Sequence, residues 1–453
     1  MSQYNHIYFI GIGGIGMSAI ARYYNAKGYK VSGYDRTCTP LTRTLEAEGI
    51  EVHYEDNIAY VPKDVENTLV VYAPAVPKNM GELVYVQENG YRVIKRSRTL
   101  GEITRGQRCM AVAGSHGKTT TSTLATHLFL ATGEGCSAFL GGISKNFGTN
   151  MIIGENDVIV VEADEFDRSF HQLYPEVAVI TSIDADHLDI YGDMEHLREA
   201  FKIFASQVSG TVIARYGLDI TQADTKAKVY TYGAAEPKAD FYAELIDDFG
   251  HFNLHYPGGV IENCFINVPG QINVENATGA AAIALTYGLE PEKVKEALAS
   301  FAGVKRRFDV HYKTEGCVFL DDFAHNPEEI AASLKTIRRA YPGRKLTAVF
   351  QPHLFTRTRD FASEFAQVLS TADKVVMTEI YPAREEPIPG VTSDIIFDHV
   401  QAPEKTLLKR CELVEWVKNN DNELMVTLGC GDIYKEAKQM VERYKAQAEG
   451  DAE

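Results

Sequence analysis

The chain has 453 residues, 45% of them hydrophobic and 24% charged, and 45 Lys and Arg stand against 62 Asp and Glu for a net charge of −17. At about 150 residues per domain, this length predicts about three domains of ordinary globular composition. The acidic excess repels phosphate backbones and anionic lipid, so it excludes a broad nucleic-acid or membrane-surface footprint and leaves any nucleotide to local pockets.

The cysteines (Cys38, Cys109, Cys136, Cys264, Cys317, Cys411 and Cys430) are scattered and form no C-x-x-C pair. That pattern argues against a zinc site or a disulfide framework and fits a reducing cytoplasm. No apolar run reaches the ~20 residues of a membrane span. The N-terminus lacks the basic-then-apolar pattern of a signal peptide. A cytoplasmic location is therefore expected.

Taken in order, residues 1 to about 106 alternate short apolar runs with helical patterns: "HIYFIGI", "YKVSGYD", "NTLVVYAPAV" and "YRVIKRS". This rhythm predicts βα units on a parallel sheet. The glycines Gly11, Gly13 and Gly16 of "GIGGIG" follow the first strand, and a helix is predicted to start near Met17. Such a loop lets backbone approach a pyrophosphate, and Asp35 closes the second strand where a ribose-binding acid would stand. These features accept NAD and another nucleotide diphosphate equally well.

A second βα series starts at "RCMAVAGSHGKTT" and continues through "DVIVVEADEFD" and "EVAVITSIDADHLD". The strict G-x-x-x-x-G-K-[ST] form fails, because Val112 stands at the first glycine. The remainder, Gly114-Ser115-His116-Gly117-Lys118-Thr119-Thr120, keeps the parts that hold a triphosphate. Its backbone N–H groups can turn onto phosphate oxygens, Lys118 can reach the β/γ-phosphates, and the Thr119 hydroxyl can ligate Mg²⁺. The next two strands end in Glu162 with Asp164, and in Asp186, His187 and Asp189. Strand ends of this kind deliver ligands to a crevice, and oxygen-rich sets suit Mg²⁺.

Between 228 and 268 the texture predicts short antiparallel strands, followed by a helix over "NVENATGAAAIALTYG". A third βα series runs from "CVFLDDFAHNP" through "KLTAVFQPH" and "DKVVMTEIYPA" to "ELMVTLGCGD". Domain boundaries are expected near 106 and 305. Two late stretches concentrate cations: "GVKRRFD" carries Lys305, Arg306 and Arg307, and "FQPHLFTRTRDF" carries His353, Arg357 and Arg359. Guanidinium forks suit carboxylate and phosphate.

Together, "GIGGIGMSAIA", "AGSHGKTTTS", "EADEFDRSF", "DADHLDIYGD", "GVKRRFD", "DDFAHNP" and "QPHLFTRTRDF" span the chain and resemble the Mur ligases, ATP-dependent amide-forming enzymes of peptidoglycan precursor synthesis. The branch they look most like joins L-alanine to the lactyl carboxylate of UDP-N-acetylmuramate. The resemblance implies an α/β chain of three domains: a Rossmann-like N-terminal domain for the UDP-sugar, a central P-loop ATPase domain and a C-terminal Rossmann-like domain.

By the same resemblance, Gly13, Gly14, Ile15, Gly16 and Asp35 bind the UDP-sugar, and Gly114 to Thr120, Asn276, Arg307 and Asp322 bind ATP. Thr119 and Glu162 hold one Mg²⁺ (or Mn²⁺), and His187 helps hold a second. Lys118, Glu162, His187 and Arg306 serve catalysis, and His325, His353, Arg357 and Arg359 serve the acceptor and its carboxylate. Four positions depart from the family pattern: Leu354-Phe355 replace Arg-Tyr, Ile272 stands for a His, and Asn326 stands for a second His. Lys202, next to Phe201, lies near where several members carry a carbamylated lysine.

Rival readings are a murein peptide ligase acting on the same UDP-sugar, a folylpolyglutamate synthase, an NAD-dependent dehydrogenase, and a nucleotide-binding switch without ligation. A dehydrogenase leaves the ATP loop idle, and a switch leaves the C-terminal arginines unexplained.

Overall fold

The computed structural model describes residues 4–184, 188–383, 385–420 and 422–450. Its strands form three sheets. The first has five parallel strands in spatial order Glu51–His53, Lys30–Tyr34, His6–Ile10, Thr68–Tyr72, Arg92–Lys95. Order reverses on either side of the strand His6–Ile10, so a crevice opens at its carboxyl end, where "GIGGIG" follows. The predicted helix begins at Ile15, two residues before the expected start, because Gly14 already has extended backbone and serves as its N-cap.

The second sheet has ten strands. Its centre is parallel: Arg108–Ala113 lies between Val158–Ala163 and Val177–Ile180. These strands are apolar runs without alternation because both faces are covered, and Val158 to Val161 are fully buried. The expected antiparallel strands past residue 228 are only partly so. Lys228–Ala234 and Phe241–Leu245 run parallel, each in register with its neighbour. The Asp240 carboxylate accepts the N–H of Thr231 at 2.8 Å, so the short connection doubles back beside the strand it leaves. Only the strands Phe241–Leu245, His251–Tyr256 and Gly259–Phe265 pair antiparallel.

The third sheet has six strands. The strand Asp309–Lys313 is antiparallel at one edge, and Val318–Asp322, Leu424–Leu428, Leu346–Phe350, Lys374–Met377 and Glu404–Leu407 are parallel. The chain divides into two compact units. The first two sheets fall in one unit, essentially residues 1–302, and the third sheet lies in the other, essentially residues 303–453. Among the described residues, no helix is long and apolar enough to cross a membrane.

Candidate active site

In the first unit, the loop after Arg108–Ala113 turns sharply into the helix Lys118–Ala131. Gly114 (φ +139°) and Gly117 (φ +80°) occupy backbone that side-chain-bearing residues rarely adopt. The loop is clamped to the end of the neighbouring strand. The N–H of Ser115 donates to Ser182 O at 3.1 Å, that of His116 to Ser182 Oγ at 2.8 Å, and that of Asp184 to Ser115 Oγ at 2.9 Å. Thr119 is buried and Thr120 half-buried. Asn276, from the helix Gln271–Tyr287, comes against this loop: its Oδ1 accepts from Thr121 Oγ1 at 3.2 Å and would lie 2.7 Å from a Cβ on Gly117.

Lys118 folds back over its own loop. Its ammonium donates to the carbonyls of Gly114 and Ser115 and to the Glu165 carboxylate, 2.9 Å from Oε1. Burial works against its charge, but Glu165, Asp164 and Glu162 outweigh that and raise its pKa. Glu165 has no part in the sequence-based expectations above. Its signal was present in "EADEFD", three residues past Glu162, but a surface turn explains that acid equally well.

Glu162 ends the strand Val158–Ala163, and its Oε2 accepts the N–H of Gly141 at 3.0 Å. Gly141 has no room for a side chain there, since a Cβ would run into the Glu162 carboxylate. The expected ligand His187 lies outside the described residues, as does Asp186. Thr119 at the helix start, the strand-end Glu162 and the surrounding acids suit a hard divalent cation, and the glycine cradle suits a polyphosphate.

In the first sheet, the Gly13 N–H donates to Asp35 Oδ2 at 2.7 Å, and the Thr37 N–H donates to Oδ1 at 3.0 Å. Asp35 therefore braces the glycine loop. Gly16 packs under Arg96, with Nη1 2.6 Å from where a Cβ would stand. Arg96 in turn pairs with Asp164 at 2.9 Å, and Lys95 pairs with Asp167 at 2.6 Å. A cavity of about 120 Å³ is lined by Ile15 and Gly16 at the start of the first helix, by Arg96, by Gly141 from the loop after Ser137–Phe139, and by Glu162 and Asp164 at the end of Val158–Ala163.

The second unit gathers the remaining expected residues. Asp322 ends a central strand and accepts from Ser333 Oγ at 2.8 Å, and burial raises its pKa to about 6. Arg307 lies over the Phe323 ring, 4.7 Å from its centroid. The ring of His325 meets that of His353 edge-on at 6.2 Å, and the His353 ring stacks on Tyr381 at 5.9 Å. Desolvation pushes the thiol of half-buried Cys430 up to about 12, against the opposing pull of Arg357 and Arg306.

Three placements change the sequence picture. Arg306 is committed within its own unit: it donates to Gly429 O at 2.6 Å, pairs with buried Asp321 at 3.3 Å and lies over the rings of Phe323 and Tyr434. These contacts tie the turn that carries Arg306 to Asp321 and Gly429. Arg359 is exposed and paired with Asp360 at 2.7 Å, and two residues of helix set it about half a turn round from Arg357. Lys202 pairs with Asp219 at 2.9 Å and Asp224 at 3.5 Å, while Phe201 is fully buried in the core. Of the departures, Leu354 takes φ +67°, a strained region for a branched side chain, and its N–H donates to Tyr381 O at 3.0 Å. Ile272 is exposed.

Family models match in series along the chain: the Mur ligase family catalytic domain over residues 6–108, the Mur ligase middle domain over 112–284, and the Mur ligase glutamate ligase domain over 306–432. The chain is 49% identical over 437 residues to the UDP-N-acetylmuramate–L-alanine ligase of Parabacteroides distasonis, covering 94% of each. It is 45% identical to that of Christiangramia forsetii, covering 97% of this chain and 98% of that one. Among solved structures, the UDP-N-acetylmuramate-alanine ligase MurC of Thermotoga maritima superimposes with a TM-score of 0.84 at 27% identity, over 98% of this chain and 99% of that one. A murein peptide ligase from Psychrobacter arcticus shares the fold, with a TM-score of 0.74 at 22% identity over 96% of this chain and 98% of that one. With these matches and three α/β sheets in series, the chain belongs to the Mur ligase family.

Proposed function

We propose that this chain is an ATP-dependent ligase that joins L-alanine to the lactyl carboxylate of UDP-N-acetylmuramate in peptidoglycan precursor synthesis. One observation carries the reading beyond the family: the cavity that Gly16 lines is also lined by Glu162 and Asp164. A pyrophosphate loop and the acids beside an ATP loop thus open on one space, as a reaction between a UDP-sugar and ATP requires.

In this reading Gly13, Gly14, Ile15 and Gly16 hold the UDP-sugar, and the 114–120 loop with Asn276 holds ATP. Thr119 and Glu162 would hold one Mg²⁺ and His187 would help hold a second, and the ions would neutralise charge on the phosphates. The lactyl carboxylate attacks the γ-phosphorus, and the bond to the β,γ-bridging oxygen breaks to give an acyl phosphate and ADP. The amine of L-alanine then attacks the acyl carbon, phosphate leaves, and the amine gives up a proton. Lys118 stabilises charge on the transferring phosphoryl group, a reaction that asks mainly for positioning and electrostatics. Arg307 and Asp322 contact the nucleotide, and His325, His353 and Arg357 bind the acceptor.

The test is phosphate and ADP release with ATP, Mg²⁺, UDP-N-acetylmuramate and a panel of amino acids. Release should require the UDP-sugar and be fastest with L-alanine. Equal phosphate release without any amino acid sinks the ligase reading.

A further inference from the structure

The lysine of the ATP loop is held by a residue for which that reading has no use. The Lys118 ammonium has three N–H donors, directed at Gly114 O, Ser115 O (3.3 Å) and the Glu165 carboxylate (2.9 Å to Oε1 and 2.8 Å to Oε2). The two carbonyls belong to the loop itself and can keep their bonds when a polyphosphate enters. The donor aimed at Glu165 is the one a phosphate oxygen needs.

Glu165 is not a surface acid that happened to swing in. Its side chain is 1% exposed. The turn that carries it is braced at several points. Tyr191 Oη donates to Glu165 O at 2.6 Å, the Arg168 N–H donates to the same carbonyl at 2.9 Å, and the Arg168 guanidinium lies over the Tyr191 ring at 5.4 Å. The flanking acids Asp164 and Asp167 are fixed by Arg96 and Lys95. The carboxylate is therefore presented to Lys118 by a fixed turn.

We propose that Glu165 occupies, on Lys118, the place of a nucleotide phosphate, so that ATP binds by displacing it and Glu165 sets nucleotide affinity as a positioning residue. The inference rests on the reading that residues 114–120 hold ATP. It fixes the sign of a substitution, because a competitor and a support predict opposite results. Removing a competitor tightens binding, since the apparent dissociation constant is the intrinsic one divided by the fraction of lysine left free. Removing a support weakens it.

The experiment is calorimetric titration of MgATP into the wild-type protein, E165Q, K118M and the double variant, with thermal melting as the check on folding. Glu165→Gln should bind MgATP about five- to tenfold more tightly. The same change in the Lys118→Met background should leave affinity unaltered. If E165Q fails to fold, E165S takes its place with the same expected sign. Unchanged or weaker binding by a folded Glu165 variant overturns the inference while leaving the ATP reading intact. Failure of the wild type to bind MgATP removes both.

Discussion

The N–H of Gly141 donates to Glu162 Oε2 at 3.0 Å, with no space for a side chain between them. Gly141 comes from the loop after the strand Ser137–Phe139, and Glu162 ends the strand beside it. A carboxylate proposed as a metal ligand is thus aimed by a neighbour that carries no functional group.

Gly141→Ala should therefore damage a site it does not touch chemically. The added methyl displaces the Glu162 carboxylate, and partners that orient a metal ligand are worth about 10- to 100-fold in metal affinity or activity. The measurement is ADP formation against Mg²⁺ concentration. A folded G141A with wild-type Mg²⁺ dependence and turnover defeats the assignment of Glu162.

At the other loop, Gly13 lies under Asp35 and Thr42: a Cβ would stand 2.8 Å from Asp35 Oδ2 and 2.6 Å from Thr42 Cγ2. Gly13→Val should push the loop off its course and raise KM for UDP-N-acetylmuramate at least about tenfold, since small misplacements cost that much or more. KM for ATP should stay within about twofold. Equal rises in both constants would place the loop's role in holding the fold. Tight binding of NAD(H) without binding of the UDP-sugar would reverse the substrate assignment.

Lys202 gives a prediction of no effect. Its two acid partners hold it on the outer side of the helix Met194–Ser206, whose other face buries Phe201 and Phe204. Lys202→Ala should leave turnover unchanged and barely shift the melting temperature, because exposed ion pairs contribute little to stability. Loss of activity, or activity that depends on added bicarbonate, would point to a carbamylated lysine instead.

Asp322 links the second unit's site to pH. Burial raises its pKa from 3.8 to about 6, so the native chain keeps the proton over a range in which the unfolded chain has released it. The unfolded state then binds fewer protons between about pH 4 and 6, and stability falls as pH rises through that window. Above it the cost is constant, at most about 3 kcal/mol for a shift of this size. Asp322→Asn removes the ionisation, so its stability relative to wild type should rise between pH 4 and pH 7. Urea unfolding at the two pH values checks this, and parallel curves would show that Asp322 ionises normally.

The sequence by itself determined the three βα series, both glycine-rich loops and the strand-end acids, because these signals are local. Glycines at fixed spacing, apolar runs long enough for one strand and a lysine at a helix start are read from neighbours in the chain. Tertiary structure alone decided which charges are available. Arg306 and Lys118 look alike in sequence, each a cation near a glycine-rich or basic turn. Yet Arg306 is committed to Asp321 and Gly429, and Lys118 is held by Glu165 through a pair 47 residues apart. Gly141 and Arg96 carry no signal at all in their own segments. They matter because Glu162 and Gly16, 21 and 80 residues away, leave them no other place to pack, and such packing is set by chain crossings that a linear pattern does not encode.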